Sequence, residues 1–269
     1  MRRKLTPRRV VTAILNRTAR KLTILSRQIN DPVLRTLRRR GMPIDCYDAL
    51  SKKWLRDMNF RTVLDVGANV GQFAAGAHAI LPDAAIYSFE PLPDCFAQLM
   101  KTMAGVEKFR AFNVGLGATR TEMQINRSPW SASSSFRKMA KLHIENYPQT
   151  EGHETATVPV ETLDGIMASI NLTDPILLKM DVQGYEDQVL AGGKTIANRA
   201  AAIIVEVSFE TLYEGQPLFD DIYRAITSMG FIYKGNLEQA PDKNGRLLYA
   251  DAIFLRPAIG ISDIGASSR

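Results

Sequence analysis

The segment VLDVGANVGQFAAG, residues 63–76, combines residue types that could hold a small molecule. An apolar run leads to Asp65, Gly67 and Gly71 follow, and small residues continue at a spacing typical of a helix. A glycine-containing turn between a first parallel strand and its helix lies at the carboxyl edge of the sheet, where α/β folds bind ligands. Glu90, which ends the next predicted strand, could accept hydrogen bonds from both ribose hydroxyls. The segment therefore predicts a nucleoside derivative as the ligand.

Two cofactors compete for such a turn, a dinucleotide and S-adenosylmethionine. The dinucleotide turn requires the pattern G-x-G-x-x-G, so that the backbone can approach a pyrophosphate at the helix N-terminus. Here Asn69 stands between Gly67 and Gly71. S-adenosylmethionine carries no phosphate, and its ammonium and sulfonium groups favour a nearby carboxylate, a position that suits Asp65. The turn favours the methyl donor, although Asp65 could simply cap the turn and Glu90 could be a solvated strand end.

The surrounding pattern alternates strands and helices and ends in a hairpin. Apolar runs predict strands at 61–66, 84–90, 108–114, 176–182 and 201–207. Helices are predicted at 71–81, 93–104, 185–198 and 217–229, and the closing hairpin at FIYKG and RLLYADAIFLR. Strands that are apolar on both faces indicate a parallel sheet, so the fold class is a doubly wound α/β domain. The polar segment 118–160 interrupts the alternation and is predicted to be an insertion over the mouth of the active site.

The charge is unevenly distributed along the chain. The whole chain carries a net charge of +6, but residues 1–40 hold 13 Lys or Arg and one acid, so the remainder is acidic. Apolar and basic residues interleave in this arm, which favours a helix that lies on an anionic membrane surface. A contact with nucleic acid and a solvated arm or dimer strap are the alternatives.

Other features of the sequence argue against a structural metal site, a membrane span and a secreted protein. Cys46 and Cys95 show no metal-type spacing, and the apolar runs are much shorter than a membrane span. No signal peptide is visible. We therefore expect a soluble cytoplasmic protein, with peripheral contact to the inner face of the membrane if the arm binds lipid.

Several motifs together resemble the FkbM family of S-adenosylmethionine-dependent methyltransferases. In chain order they are VLDVGANVGQF, SFEPLP, FNVGLG, SSSF, VPVETLD, LLKMDVQGYEDQVLAGG, VEVSFETLYEGQ and ADAIFLR. The resemblance covers residues 45–257, which leaves a basic arm at 1–44 and a tail at 258–269 that is expected to be flexible. It implies a class I methyltransferase fold, Rossmann-like, with a seven-stranded sheet whose last strand is antiparallel. It also implies O-methylation of hydroxyls on sugars, glycolipids or natural products.

The resemblance also implies roles for individual residues around the cofactor. The methionine end of S-adenosylmethionine would lie against Asp65, Gly67, Asn69 and Gly71, and Glu90 would hold the ribose. The adenine would lie against Pro91, Leu92, Asn113 and Val114. Asp181 would face the transferable methyl group and the acceptor.

Transfer of a methyl group to a hydroxyl requires a base, because a sugar hydroxyl is a weak nucleophile and must lose its proton. The candidates are Asp181, Glu206, Glu186 and His143, of which Asp181 is the first choice, with holding the cofactor ammonium as its alternative role. Acidic residues here could instead bind a divalent cation, although no spacing is diagnostic of a metal site. Predicted acceptor contacts are Trp130, Ser133, Ser134, Tyr213 and Glu214.

Three other functions remain open from the sequence. A nucleic-acid methyltransferase would fit the basic arm, but MDVQGYE lacks the prolines and aromatic residue that typically grip a base amine after the fourth strand. A non-catalytic module could retain the fold as a scaffold. An NAD-dependent oxidoreductase is disfavoured by Asn69.

Overall fold

The computed structural model describes residues 50–152 and 154–257, together with Leu22, Ser26, Asp31, Leu34 and Arg35. The predictions for the basic arm at 1–44, apart from those five residues, and for the tail at 258–269 lie outside the described residues. Within the described part of the chain, no helix combines the length and the apolar character needed to cross a membrane.

A seven-stranded sheet forms the centre of the domain. The described strands are β1 (Thr62–Val66), β2 (Ala85–Phe89), β3 (Phe109–Phe112), β4 (Gly115–Leu116), β5 (Thr121–Arg127), β6 (Glu154–Glu161), β7 (Ile176–Met180), β8 (Ala202–Ser208), β9 (Ile232–Pro241) and β10 (Leu247–Leu255). The order in the large sheet is β3-β2-β1-β7-β8-β10-β9. Neighbours from β3 to β8 are parallel, and β10 is antiparallel to both β8 and β9. This confirms the predicted doubly wound sheet with an antiparallel closing hairpin.

Helices cover both faces of the sheet. They are α1 (Lys53–Arg56), α2 (Gln72–Ile80), α3 (Pro93–Thr102), α4 (Lys141–Asn146), α5 (Leu163–Met167), α6 (Glu186–Gly192), α7 (Lys194–Arg199) and α8 (Phe219–Ser228). Successive residues of a strand point to opposite faces, so Val63 packs with α1 to α3 whereas Leu64 and Val66 pack with α5 to α8. Every residue of β1 and β7 is buried, which explains why these strands are apolar apart from Thr62, Asp65 and Lys179.

The helix predicted at 185–198 is two helices in the structure. Gly193 has a non-helical φ of −125° and separates α6 from α7. The carboxylate of Asp164 accepts hydrogen bonds from the backbone amides of Thr195 and Ile196, both at 2.9 Å. Those amides belong to the first turn of α7, so Asp164 satisfies donors that a helix start leaves without partners. The break is therefore stabilised by a residue distant in sequence, which local periodicity does not reveal.

The segment predicted as an insertion contributes β5 and nearly all of β6 to a second, three-stranded sheet in the order β4-β6-β5, in which β4 precedes the segment. Strand β6 matches the strand character of TATVPVETL, whereas β5 was not predicted. Of the seven residues of β5 only Ile125 is buried, so the strand lacks a regular apolar alternation. Its stability comes from antiparallel pairing with β6 along its whole length.

The loop after β1 lies very close to the end of β7. Gly67 has a φ of +76°, and a Cβ atom at this position would lie 1.9 Å from the backbone oxygen of Asp181. A side chain at Gly67 would therefore force the two strand ends apart. Gly105 has a similar φ of +81° but has no atom within 4 Å of the position of a Cβ.

Alanine substitutions at Gly105 and Gly67 separate the cost of backbone strain from the cost of a steric clash. We expect Gly105→Ala to lower the free energy of unfolding by about 1 to 2 kcal/mol, the cost of a left-handed conformation. Gly67→Ala should cost a further 1 to 3 kcal/mol, roughly the cost of overpacking. Urea unfolding of both variants and the wild type measures the difference. Equal losses in the two variants would contradict the close packing of the two strand ends.

Candidate active site

A cavity lies at the carboxyl ends of β1, β2 and β7, beneath residues 131–136 of the insertion. Its walls include seven of the predicted cofactor residues: Gly67, Asn69, Glu90, Pro91, Leu92, Val114 and Asp181. We call it the first cavity. The other three predicted cofactor residues, Asp65, Gly71 and Asn113, lie behind its wall.

Glu90 connects two loops at the floor of the first cavity. Its Oε2 accepts a hydrogen bond from the backbone amide of Asn69 and its Oε1 accepts one from Leu92, both at 2.8 Å. Burial raises the pKa of Glu90 to about 7, although these two amides favour the ionised form. A carboxylate has about four acceptor sites, so Glu90 can accept further hydrogen bonds from a ligand.

Asn113 and Gly71 support this floor from behind. The Nδ2 of Asn113 donates to the carbonyl oxygens of Glu90 and Pro91, at 2.9 and 3.0 Å. Both of its amide protons are thus used to hold the loop after β2. Gly71 has a φ of +91° and precedes α2, and a Cβ there would meet the Leu99 side chain of α3 at 2.9 Å. In the structure both residues position the cavity wall.

Asp65 is fully buried and is paired with Lys179, a residue that the sequence analysis missed. The Nζ of Lys179 lies 3.3 Å from Oδ1 of Asp65 and 3.7 Å from Oδ2 of Asp181. It also donates to the carbonyl oxygen of Gly67 at 3.1 Å. Burial raises the pKa of Asp65, and the charge of Lys179 opposes that rise. A lysine inside the apolar run ILLKM was the available signal, because a buried ammonium needs a carboxylate partner.

Gln183, also missed, joins the two acidic residues at the ends of β7 and β8. Its Nε2 donates to Oδ1 of Asp181 at 2.8 Å and to Oε1 of Glu206 at 3.1 Å, and its Oε1 accepts from the Tyr213 hydroxyl at 2.6 Å. Gln183 has a φ of +56°, which is uncommon for a residue with a side chain. Such strained positions cluster at functional sites.

Glu206 lies among several carboxylates. It is directly opposite Asp251 in the pairing of β8 with β10. Loss of hydration raises the pKa of Glu206 well above its ordinary value, and the charges of Asp181, Glu186 and Asp251 raise it further. Burial and Asp181 also raise the pKa of Asp251, to about 6. This edge of the sheet therefore carries more negative groups than Lys179 can balance, which favours a cationic ligand.

The Glu186 carboxylate lies in the turn between β7 and α6. Its Oε1 accepts hydrogen bonds from the backbone amides of Val182 and Gly184, at 3.0 and 3.3 Å. It is 3% exposed, and burial raises its pKa to about 7. In this structure Glu186 holds the β7–α6 turn and lines neither the first cavity nor the second cavity described below, unlike the other three candidate bases.

A second cavity lies on the other side of Gln183. Glu206 and His143 line this second cavity, whereas Asp181 lines the first. Ala132 and Gln183 line both, so the two cavities share a wall. Within the described residues, no group of three His, Cys, Asp or Glu side chains is arranged to hold a metal ion.

The five predicted acceptor contacts do not all lie in one cavity. Trp130 and Ser133 line the second cavity, and Ser134 lines the first. Tyr213 is buried, and its hydroxyl lies within hydrogen-bond distance of Gln183 and the carbonyl oxygen of Ser133. Glu214 is exposed and lines neither cavity.

The chain is similar to several proteins named as methyltransferases. It is 30% identical over 161 residues to the 2-O-methyltransferase NoeI of Sinorhizobium fredii, across 57% of this chain and 66% of that protein. It is 26% identical over 144 residues to the hexuronic acid methyltransferase AglP of Haloferax volcanii, across 53% of this chain and 54% of the relative. The chain thus spans less than two thirds of the length of either protein.

A solved structure also aligns with this chain. Methyltransferase FkbM from Methylobacillus flagellatus aligns with a TM-score of 0.47 and 13% identity, over 85% of this chain and 59% of that chain.

The family described as the methyltransferase FkbM domain matches residues 65–233, a range that begins at Asp65 and includes Glu90, Asp181 and Glu206. This match covers more than half of the chain. It confirms the prediction of a methyltransferase domain that uses S-adenosylmethionine, which was based on the motifs around these residues. The chain belongs to the FkbM methyltransferase family.

Proposed function

We propose that this protein transfers a methyl group from S-adenosylmethionine to a hydroxyl of a sugar, a glycolipid or a related natural product. The observation that carries the proposal is the first cavity, in which Glu90 and Asp181 lie at the ends of β2 and β7, the two parallel strands that flank β1. The names of NoeI and AglP, a 2-O-methyltransferase and a hexuronic acid methyltransferase, support an oxygen nucleophile and a sugar-type acceptor.

The first cavity has the chemistry that the methyl donor requires. Glu90 has acceptor capacity for the ribose hydroxyls, and Leu92 and Val114 offer apolar surface to the adenine. Asp181 and the polar loop at Asn69 would hold the methionine end. When bound, S-adenosylmethionine supplies an activated methyl group on a positively charged sulfur, and the carboxylates at this edge provide a matching negative field.

The acceptor hydroxyl must lose its proton as its oxygen is methylated, and we propose that the carboxylate of Glu206 accepts this proton. Asp181 is less suited, because Gln183 and Lys179 already engage its two oxygens and because it lines the first cavity. Glu206 faces the second cavity, and its raised pKa makes its ionised form a stronger base. Asp181 then serves to hold the donor, the alternative role considered for it above.

Glu90→Gln tests the cofactor site. The amide side chain must turn an N–H group toward one of the two backbone donors, so we expect the free energy of S-adenosylmethionine binding to weaken by about 1 to 3 kcal/mol. Asp94→Asn is the matched control, since Asp94 is an exposed residue that pairs with Arg127. Isothermal titration calorimetry measures both, and equal affinity of Glu90→Gln and the wild type would contradict the site.

Glu206→Gln tests the base. We expect turnover to fall by at least about a hundredfold at saturating S-adenosylmethionine, because general-base catalysis typically contributes that much. The wild-type rate should increase with pH, since Glu206 must be ionised to accept the proton, and the variant should lose this dependence. The assay follows transfer of labelled methyl groups to a lipid and glycan extract of the source cells.

Asp181→Asn is the matched comparison for this assay. We expect it mainly to weaken S-adenosylmethionine binding and to retain turnover when the donor is saturating. If Asp181→Asn abolishes turnover under those conditions while Glu206→Gln retains it, the base is Asp181.

A further inference from the structure

His143 is a buried side chain that lacks the partners its chemistry requires. It is 4% exposed, and neither Nδ1 nor Nε2 has a hydrogen-bond partner. Its ring is held by packing, with centroids 5.3 Å from Tyr147 and 5.0 Å from Tyr213. Buried polar atoms are nearly always paired, and an unpaired one is costly. The unpaired imidazole therefore requires an explanation.

The position of His143 in the wall of the second cavity provides one. Burial lowers the pKa of His143 to about 4, so the ring is neutral near pH 7. A neutral imidazole offers one donor and one acceptor, and a hydroxyl group offers the same pair. Both nitrogens are shielded from solvent, so a ligand hydroxyl in the second cavity would become the missing partner by entering between the ring and the side chains that cover it.

The remaining walls describe the class of that ligand. These walls include the aromatic side chains of Trp130, Tyr147 and Tyr249 and the polar side chains of Gln149, Thr150 and Glu206. Such walls suit a ring whose C–H faces pack on aromatic surface while its hydroxyls are hydrogen bonded. Among the described residues that line this cavity there is no lysine or arginine, so nothing there would pair with a carboxylated ring. The chemistry favours a neutral, polyhydroxylated ring.

The second cavity is also correctly placed for transfer. It shares Gln183 and Ala132 with the first cavity, and Glu206 lies in its wall beside Gln183. A ring in the second cavity could thus present one hydroxyl to Glu206 and another to His143.

We propose that the second cavity binds a neutral sugar ring as the acceptor and that His143 forms a hydrogen bond with one of its hydroxyls. This inference rests on the proposed function and adds the acceptor site, the class of acceptor and a residue that determines specificity.

Three variants test the assignment in the labelled methyl-transfer assay with the lipid and glycan extract. His143→Phe keeps a ring against Tyr147 and Tyr213 but removes both nitrogens. We expect its half-saturating amount of extract to rise about tenfold, the equivalent of one net hydrogen bond. Its affinity for S-adenosylmethionine and its thermal stability should not fall, because the substitution removes buried atoms that have no partner. A merely structural role would instead reduce stability and leave the half-saturating amount unchanged.

Gln149→Trp obstructs the second cavity from an exposed position, so it does not depend on repacking the interior. We expect it to retain S-adenosylmethionine binding and to lose most methyl transfer. Gln98→Trp is the matched control, because Gln98 is exposed on α3 and lines neither cavity. Hydrolysis of the labelled product and mass spectrometry should identify a neutral methylated sugar.

The outcomes separate the two proposals. If transfer proceeds with unchanged half-saturation in both His143→Phe and Gln149→Trp, the acceptor site is wrong while the proposed function stands. If His143→Phe does not fold, Gln149→Trp decides the question. A labelled uronic acid or a labelled non-sugar group would overturn the acceptor class. Absence of transfer by the wild-type protein would overturn the proposed function and this inference together.

Discussion

The burial of one ammonium group, that of Lys179, organises the carboxyl edge of the sheet. The Nζ of Lys179 contacts Asp65 near the end of β1, the carbonyl oxygen of Gly67 in the following loop, and Asp181 at the end of β7. A buried charge is tolerated only when it is paired and hydrogen bonded, so these three groups must remain together. The absence of a side chain at Gly67 permits this approach, because the loop contacts the Asp181 backbone directly. The first cavity is therefore built on an ion pair that lies beneath its floor.

The negative groups nearby exceed what one lysine can balance. Asp251 shows the consequence, since burial and the charge of Asp181 raise its pKa from an ordinary 3.8 to about 6. A raised pKa means that the folded chain retains a proton that the unfolded chain releases. The contribution of Asp251 to the free energy of unfolding thus decreases as the pH rises from about 4 to 6. A bound sulfonium would favour the ionised carboxylates and recover part of this stability. The clustered carboxyl groups thus lower the stability of the unliganded protein and increase its affinity for a cation.

Sequence patterns predicted those features that depend on local order. Continuous apolar runs predicted the parallel strands, and acidic residues at strand ends predicted the edge where Glu90, Asp181 and Glu206 gather. Patterns did not predict β5, which is mostly exposed, or the break at Gly193, which depends on a distant carboxylate. They also did not give the direction of side chains within a turn.

The turn between β7 and α6 shows this limit most clearly. Glu186 and Gln183 lie three residues apart in VQGYE, and the sequence indicates only Glu186 as a candidate base. The left-handed backbone at Gln183 directs its amide toward Asp181 and Glu206, while Glu186 turns inward to accept from the backbone of the same turn. Because of this uncommon backbone conformation, Gln183 contacts the acidic residues at the strand ends, whereas Glu186 contacts only the backbone of the turn.

The insertion lines both cavities and is attached to that same turn. The Ser135 hydroxyl donates to the carbonyl oxygen of Gln183 at 2.7 Å, and Nε of Arg137 donates to that of Gly184 at 2.6 Å. Arg137 also donates to both carboxylate oxygens of Asp187, each at 3.1 Å. On the opposite side of the first cavity, the Ser131 hydroxyl donates to Oδ1 of Asn69 at 3.0 Å. One segment thus contacts the loop after β1 and the turn after β7, and it also carries His143. Both cavities therefore take part of their walls from this one segment.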